Sequence, residues 1–262
     1  MTVVKVHSES PGVAIVELHR PDRMNAISFE LVEELHVALD EVAADGGCKV
    51  VVLTGAGKAF CSGLDLTSWG ALPAEGESRY RPAGTSGQAY MSTLASHIRR
   101  TPQIVIAAIN GPAFGGGLAL SLACDLRFAA ASATLCAAFI KTGLTATDQG
   151  ISYFLPRLIG ASRAFDLMVT GRTIDATTAE RMGIVSQVHP DDELLERSLD
   201  AARTIAGYTA VGLRMTKQVM WANLDASSLD GCLALEDRNQ DLAMASTEVR
   251  EYMAQYRTRF TK

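Results

Sequence analysis

The 262-residue sequence contains five cysteines, an odd number, and none stands in a C-x-x-C arrangement. That excludes a disulfide ladder and a cysteine zinc site, so Cys48, Cys61, Cys124, Cys136 and Cys232 read as reduced thiols, mostly in the core. No apolar run exceeds six residues, far below the ~20 needed to cross a bilayer, and no membrane span is expected. Met1 to Glu9 lacks a basic stretch followed by an apolar one, which argues against a secretory signal and for a cytoplasmic location. Lys/Arg blocks are missing too: 24 basic residues face 29 acidic ones, for a net charge of −5. A general nucleic-acid binder is thereby excluded, and any phosphate partner has to be gripped locally. There is no G-x-G-x-x-G and no G-K-S/T, so dinucleotide and P-loop sites fail on spacing. His19, His36, His97 and His189 are scattered, with no carboxylate at ligand spacing, and no metal is expected. Ser62 and Ser121 lack a visible base, which argues against a serine nucleophile.

What is present is material for a core, with 48% hydrophobic and 20% charged residues. Val13–Leu18, Lys49–Thr54 and Gln103–Ile109 read as strands. The last two run with little alternation, as suits strands buried on both faces. Residues 28–44 read as a helix, with Ser28 as N-cap and Leu31, Leu35, Leu39 and Val42 on one face. The fold class is therefore α/β. Residues 68–87 concentrate Gly, Pro, Ser and charge, and predict a long surface loop, poorly ordered without ligand. Beyond Ile184, residues 191–205, 210–223 and 227–245 read as amphipathic helices, so the chain divides into a core over 1–190 and a helical region over 191–262.

Two glycine-containing turns follow the buried strands, TGAGKAFCSGLDL (54–66) and NGPAFGGGLALSL (110–122). Each puts bare backbone at a strand end, where exposed N–H groups favour developing negative charge. Such donors can polarise a carbonyl and stabilise an oxyanion. Close helix–strand packing is the other use of such glycines.

Four stretches in order, HRPDRMNAIS (19–28), VVLTGAGKAFCSGLDL (51–66), INGPAFGGGLALSLACDLRFA (109–129) and GISYFLPRLIG (150–160), resemble the successive motifs of the enoyl-CoA hydratase/isomerase, or crotonase, family. The resemblance covers nearly the whole chain. It implies a spiral of ββα turns with a C-terminal helical trimerisation region, a homotrimer or hexamer, and acyl-CoA thioester ligands, with coenzyme A arriving as part of the substrate and no separate cofactor. Carried over residue by residue, it implies an oxyanion hole made by the backbone N–H groups of Leu64 and Gly116. It places CoA contacts at Arg23, Met24, Ala26, Ser62, Gly63, Asp65, Leu66, Lys217 and Phe260.

The departures are informative. Hydratases of the family hold water with two glutamates, and at those addresses this chain has Ala119 and Phe139. Hydration needs a base and an acid, each contributing roughly 10²–10⁴-fold. Asp148, in GLTATDQGISYFLPR, aligns with the proton-transfer aspartate of family isomerases, with one more residue between it and Gly143 than most of them have. It also sits where a helix N-cap would. With Asp148 as base, moving a double bond through a thioester enolate is the reaction that fits. A non-catalytic acyl-CoA carrier is the alternative, and an enoyl-CoA hydratase comes third. Asp65 and Asp125 read as backbone-ordering residues.

Overall fold

The computed structural model describes residues 2–258, so the expected CoA contact at Phe260 lies outside the described residues. The chain opens on an antiparallel hairpin, β1 (Val4–Ser10) and β2 (Val13–Leu18). Helix α1 (Phe29–Ala44) follows, its Ser28 cap accepting from the Leu31 amide as the sequence predicts. β3 (Val50–Gly55) is buried at every position, as its lack of alternation predicts. Next come α2 (Gly87–Arg100), β4 (Ile104–Ile109), β5 (Ala113–Phe114), α3 (Gly116–Ala123), β6 (Leu126–Ala130) and β7 (Thr134–Cys136). After a 3-10 turn at Ala138–Thr142 the chain forms α4 (Ile151–Ile159), α5 (Ala161–Thr170), β8 (Ile174–Asp175), α6 (Ala176–Met182) and β9 (Gln187–His189). It continues through α7 (Leu194–Ala206), α8 (Ala210–Asn223), α9 (Leu229–Ala245) and α10 (Thr247–Arg257).

A six-stranded sheet of order β1-β2-β3-β4-β6-β9 is parallel beyond the first hairpin, and a small sheet of order β5-β7-β8 stands beside it. The two approach where the turn after β3 meets β5. Cys61 bridges Ala113 in parallel fashion, and Leu64 bridges Ile27 in the same way. Strand ends, a helix start and two glycine turns thus converge on one place, as parallel α/β sheets arrange their binding crevices.

Residues 68–86 are irregular, as expected of a surface loop, and make contacts within the loop and to α1. Arg81 donates to the carbonyls of Pro73 and Thr85, and the Tyr80 hydroxyl donates to Asp40 (2.7 Å). His36 stacks on Tyr80 with ring centroids 4.5 Å apart. Sequence spacing misjudged the histidines. His97 Nε2 pairs with Asp40 across 57 positions of chain (3.1 Å), and His19 Nδ1 with Glu17 (3.0 Å). Among the described residues no helix is long and apolar enough to cross a membrane, and no cluster of three or more His, Cys, Asp and Glu could hold a metal ion.

Candidate active site

The site is built on the first turn of α3. Gly115 adopts φ +50°, a left-handed value that glycine takes without strain, and it delivers the chain into α3 with the Gly116 N–H at the open, positive end of the helix. Gly117 lies so close to the preceding turn that a Cβ there would stand 2.0 Å from the Cys61 carbonyl oxygen. Gly63, at φ +96°, faces the same helix start, since a Cβ on it would lie 3.5 Å from the Gly116 nitrogen. The Leu64 amide follows directly. Its neighbours are committed, Asp65 N–H donating to the Ile27 carbonyl (3.0 Å) and Ile27 N–H to the Gly63 carbonyl (2.7 Å). Within the described residues neither the Leu64 nor the Gly116 N–H has an acceptor. Two free amides beside one helix N-terminus can hold an oxygen that gains negative charge.

The opposite wall comes from residues 139–150. Phe139 is buried, with its ring 3.7–3.9 Å from where a Gly115 Cβ would stand. Ala119 is buried one turn into α3. Neither can move a proton. Asp148 does not cap α4; the N-cap position belongs to Gly150, with no side-chain cap. Instead Asp148 Oδ1 accepts from the Gln149 amide (2.6 Å) and from Gln88 Nε2 at the start of α2, leaving Oδ2 for another partner. Burial raises the Asp148 pKa above the usual carboxylate value, and the Gln149 amide opposes that in part. The next residue, Gln149, takes φ +47°, rare outside glycine, and is buried with its carboxamide 3.1 Å from the position of a Gly116 Cβ. A strained non-glycine backbone at such a place is a mark of function. Sequence reasoning missed both glutamines. Gln88 lies 60 positions from its partner, and nothing local reports a left-handed φ at Gln149.

The expected CoA positions fall into two groups. Arg23, Met24 and Ala26 come together with Ser62, Gly63 and Leu66, because Ser62 N–H donates to the Met24 carbonyl (3.0 Å) and Ile27 N–H to that of Gly63. Met24 and Leu66 are exposed, and the Arg23 guanidinium reaches the Thr67 hydroxyl (3.2 Å). Asp65 and Lys217 are spent elsewhere. Burial opposes ionisation of Asp65, but the Thr67 hydroxyl, the Arg20 guanidinium and the Ser68 and Thr67 amides outweigh it and hold the carboxyl down at about 2. Lys217 is buried, with its ammonium donating to the Ile98 and Gln103 carbonyls and pairing with Asp125 (2.8 Å). This corrects its expected contact with CoA phosphate. Its helix places Nζ inward, under α2.

Comparison with known proteins bears on this geometry. The family model described as enoyl-CoA hydratase/isomerase matches residues 8–261. The chain belongs to the enoyl-CoA hydratase/isomerase family. It is 44% identical over 241 residues to a Mycobacterium bovis protein named a probable enoyl-CoA hydratase, echA12, covering 92% of this chain and 84% of that one. A crystal structure of a probable enoyl-CoA hydratase/isomerase from Mycobacterium abscessus superposes with a TM-score of 0.89 at 39% identity, covering 99% of this chain and 96% of the other. A monofunctional enoyl CoA isomerase from M. smegmatis is 42% identical with a TM-score of 0.75, covering 89% and 99%. The fold is thus the crotonase α/β fold with a helical C-terminal region. Names among these relatives divide between hydratase and isomerase.

Proposed function

We propose that the protein is an enoyl-CoA isomerase acting through a thioester enolate. The observation that carries this is a single carboxylate, Asp148, one residue from the side chain that lies on Gly116, while both glutamate addresses are the buried, apolar Ala119 and Phe139. Asp148 Oδ2 takes a proton from C2 of a 3-enoyl thioester. The electron pair moves onto the thioester oxygen, held by the Leu64 and Gly116 amides, and the double bond shifts. Asp148 then returns the proton at C4, leaving the double bond between C2 and C3. One group suffices, and its raised pKa favours the uptake. Arg23, Met24, Ala26, Ser62, Gly63 and Leu66 form the mouth for the CoA portion.

The test is turnover of 3-enoyl-CoA thioesters, with exchange of the C2 proton in deuterated water. Asp148→Asn removes both, since loss of a general base costs about 10²–10⁴-fold. Unchanged turnover in Asp148→Asn refutes the role of Asp148. Tight acyl-CoA binding by the wild type without exchange favours the carrier reading, which rests on Ala119 and Phe139. Efficient hydration of 2-enoyl-CoA refutes both. The protein assembles as a trimer or a dimer of trimers through its helical region, where Met220, Leu224, Leu229, Leu233, Leu242 and Met244 are exposed in the single chain.

A further inference from the structure

Behind Gln149 and Gly150 a cavity of ≈510 Å³ runs along α2 to Trp221. Its α2 wall is one stripe of that helix, Ser92, Ala95, Ser96 and Arg99, continuing from Gln88, which holds Asp148. These positions are spaced to share a face. A wall made for a plain alkyl chain would be apolar; this one offers two hydroxyls and ends in a guanidinium. The end is aromatic as well as charged. Arg99 lies 3.1 Å from the Trp221 ring centroid and 5.2 Å from that of Phe154.

Arg99 is poorly compensated. Its side chain is 14% exposed, and its polar contacts are at the limit of hydrogen bonding, 3.4 Å to the Ala123 carbonyl and 3.5 Å to Asp125. Asp125 is already satisfied by others. Its Oδ2 accepts from the Val105 amide (2.8 Å) and Lys217 (2.8 Å), and its Oδ1 from Trp221 Nε1 (3.0 Å). Arg100, on the same cavity, has no ion-pair partner among the described residues. Asp225, the next acid along this wall, is occupied by Arg157 and Tyr153. A guanidinium this buried, facing a cavity with only a long, shared ion pair to Asp125, is costly unless a further anion completes it. Desolvation accordingly lowers the Arg99 pKa to about 10.

We propose that this cavity is the distal part of the acyl site, and that Arg99, assisted by Arg100, binds a carboxylate at the far end of the acyl chain: the preferred ligands are ω-carboxyacyl-CoA thioesters. This rests on the reading of Leu64 and Gly116 as the thioester site. From Ser92 to Arg99 the helix advances ~10 Å, and the arginine side chain leans back toward the N-terminus. Extended chains cover about 3.5 Å per three bonds, so running the length of that wall takes roughly eight or nine bonds, which favours the longer ω-carboxyacyl chains.

The test measures binding of succinyl-, adipoyl-, suberoyl- and sebacoyl-CoA against the alkanoyl-CoA thioesters of the same lengths by calorimetry. At one of the longer lengths the ω-carboxyl thioester binds at least about tenfold tighter, the range of a charge-assisted hydrogen bond. Arg99→Met and Arg100→Gln each reduce the preference and leave the alkanoyl affinity in place, and added salt shrinks it in the wild type. Alkanoyl binding with no carboxylate preference at any length overturns the inference and leaves the thioester site standing. Failure of every thioester to bind overturns the site reading itself. Should Arg99→Met not fold, the ligand ladder, its salt dependence and Arg100→Gln still decide.

Discussion

Replacing Gly117 by alanine sets two effects of opposite sign against each other. Gly117 is the second residue of α3, without a left-handed φ, and there intrinsic helix propensity favours alanine by about 0.8–1.0 kcal/mol. Against this, the new Cβ would stand 2.0 Å from the Cys61 carbonyl oxygen and 2.8 Å from the Cys61 carbonyl carbon and Cβ, where ordinary contact begins at 3.4 Å. Cys61 cannot give way. It is fully buried, its N–H donates to the Pro112 carbonyl (3.1 Å), and its carbonyl accepts from Phe114 N–H (3.0 Å). Overpacking costs about 1–3 kcal/mol and more where backbone meets backbone, so the clash wins over propensity. Subtracting the propensity gain leaves an expected net destabilisation of up to about 2 kcal/mol. For a chain of this size each kcal/mol lowers Tm by about 2–4 °C. To relieve the contact α3 must slide, carrying the Gly116 amide away from Leu64, and loss of one oxyanion donor lowers the exchange rate by about 10²–10³. Thermal and urea unfolding, run beside proton exchange at C2, read both effects. Gly46→Ala is the control, since a Cβ there meets nothing within 4 Å. A Gly117→Ala protein as stable as the wild type, with undiminished exchange, refutes the view that this glycine joins the two turns.

Asp65→Asn is expected to cost about 1–3 kcal/mol at pH 7, because it removes the charge that Arg20 pairs with. The native carboxyl is depressed from 3.8 to about 2, so this stabilisation is present above pH 3.8 and lost as the pH falls through about 2; a difference between the two proteins that does not shrink in that window counts against it. His36 is held neutral, its pKa pushed down to about 3, first by burial and then by neighbouring His97, with Asp40 acting the other way. Between pH 6.5 and about 3 the unfolded chain therefore binds the extra proton, and stability falls on acidification by up to about 1.4 kcal/mol per pH unit. His36→Gln flattens that fall in urea titrations, and an equally steep fall shows that another group is responsible. Light scattering of the purified protein gives three or six times the chain mass of 27.9 kDa, and a monomer refutes the assembly through the helical region.

The two turns of the candidate site could be read from the sequence because the donors expected there are backbone groups. An amide donor needs no particular side chain, only a turn that exposes it, and glycines at the required spacing are visible in sequence. Strands without alternation and the Ser28 cap are equally local, and they stand where expected. The side-chain partners were not legible, for a physical reason. Asp148 reads as a cap by position, yet Gln149 at φ +47° turns the chain so that Gly150 takes the cap position and the carboxylate is freed toward Gln88. His36, Asp40, Tyr80 and His97 meet only because α1, α2 and the loop before α2 pack together. Lys217, expected to contact CoA, is instead buried by α8 under α2.

The two ends of α3 explain why buried cations and a free N-terminal amide occur on one small helix. Its N-terminus presents the Gly116 amide, and its C-terminal carbonyls are taken by Arg127, which donates to Cys124 (2.6 Å), Ser121 and Leu122 (both 3.4 Å), with Arg99 reaching Ala123 (3.4 Å). Cations at the negative end of a helix are stabilised by its dipole, just as an anion is at the positive end. Arg127, almost wholly buried, is anchored by these carbonyls together with that of Ile184 (2.8 Å), and it leaves the Asp125 carboxylate to Lys217 and Trp221. Arg99, in contrast, has the Ala123 carbonyl at 3.4 Å, the Trp221 and Phe154 rings, and a carboxylate that is already shared. Of the cations gathered at this end, it is the one that both faces a cavity and lacks a close acceptor, which is why a ligand carboxylate is the group that would complete it.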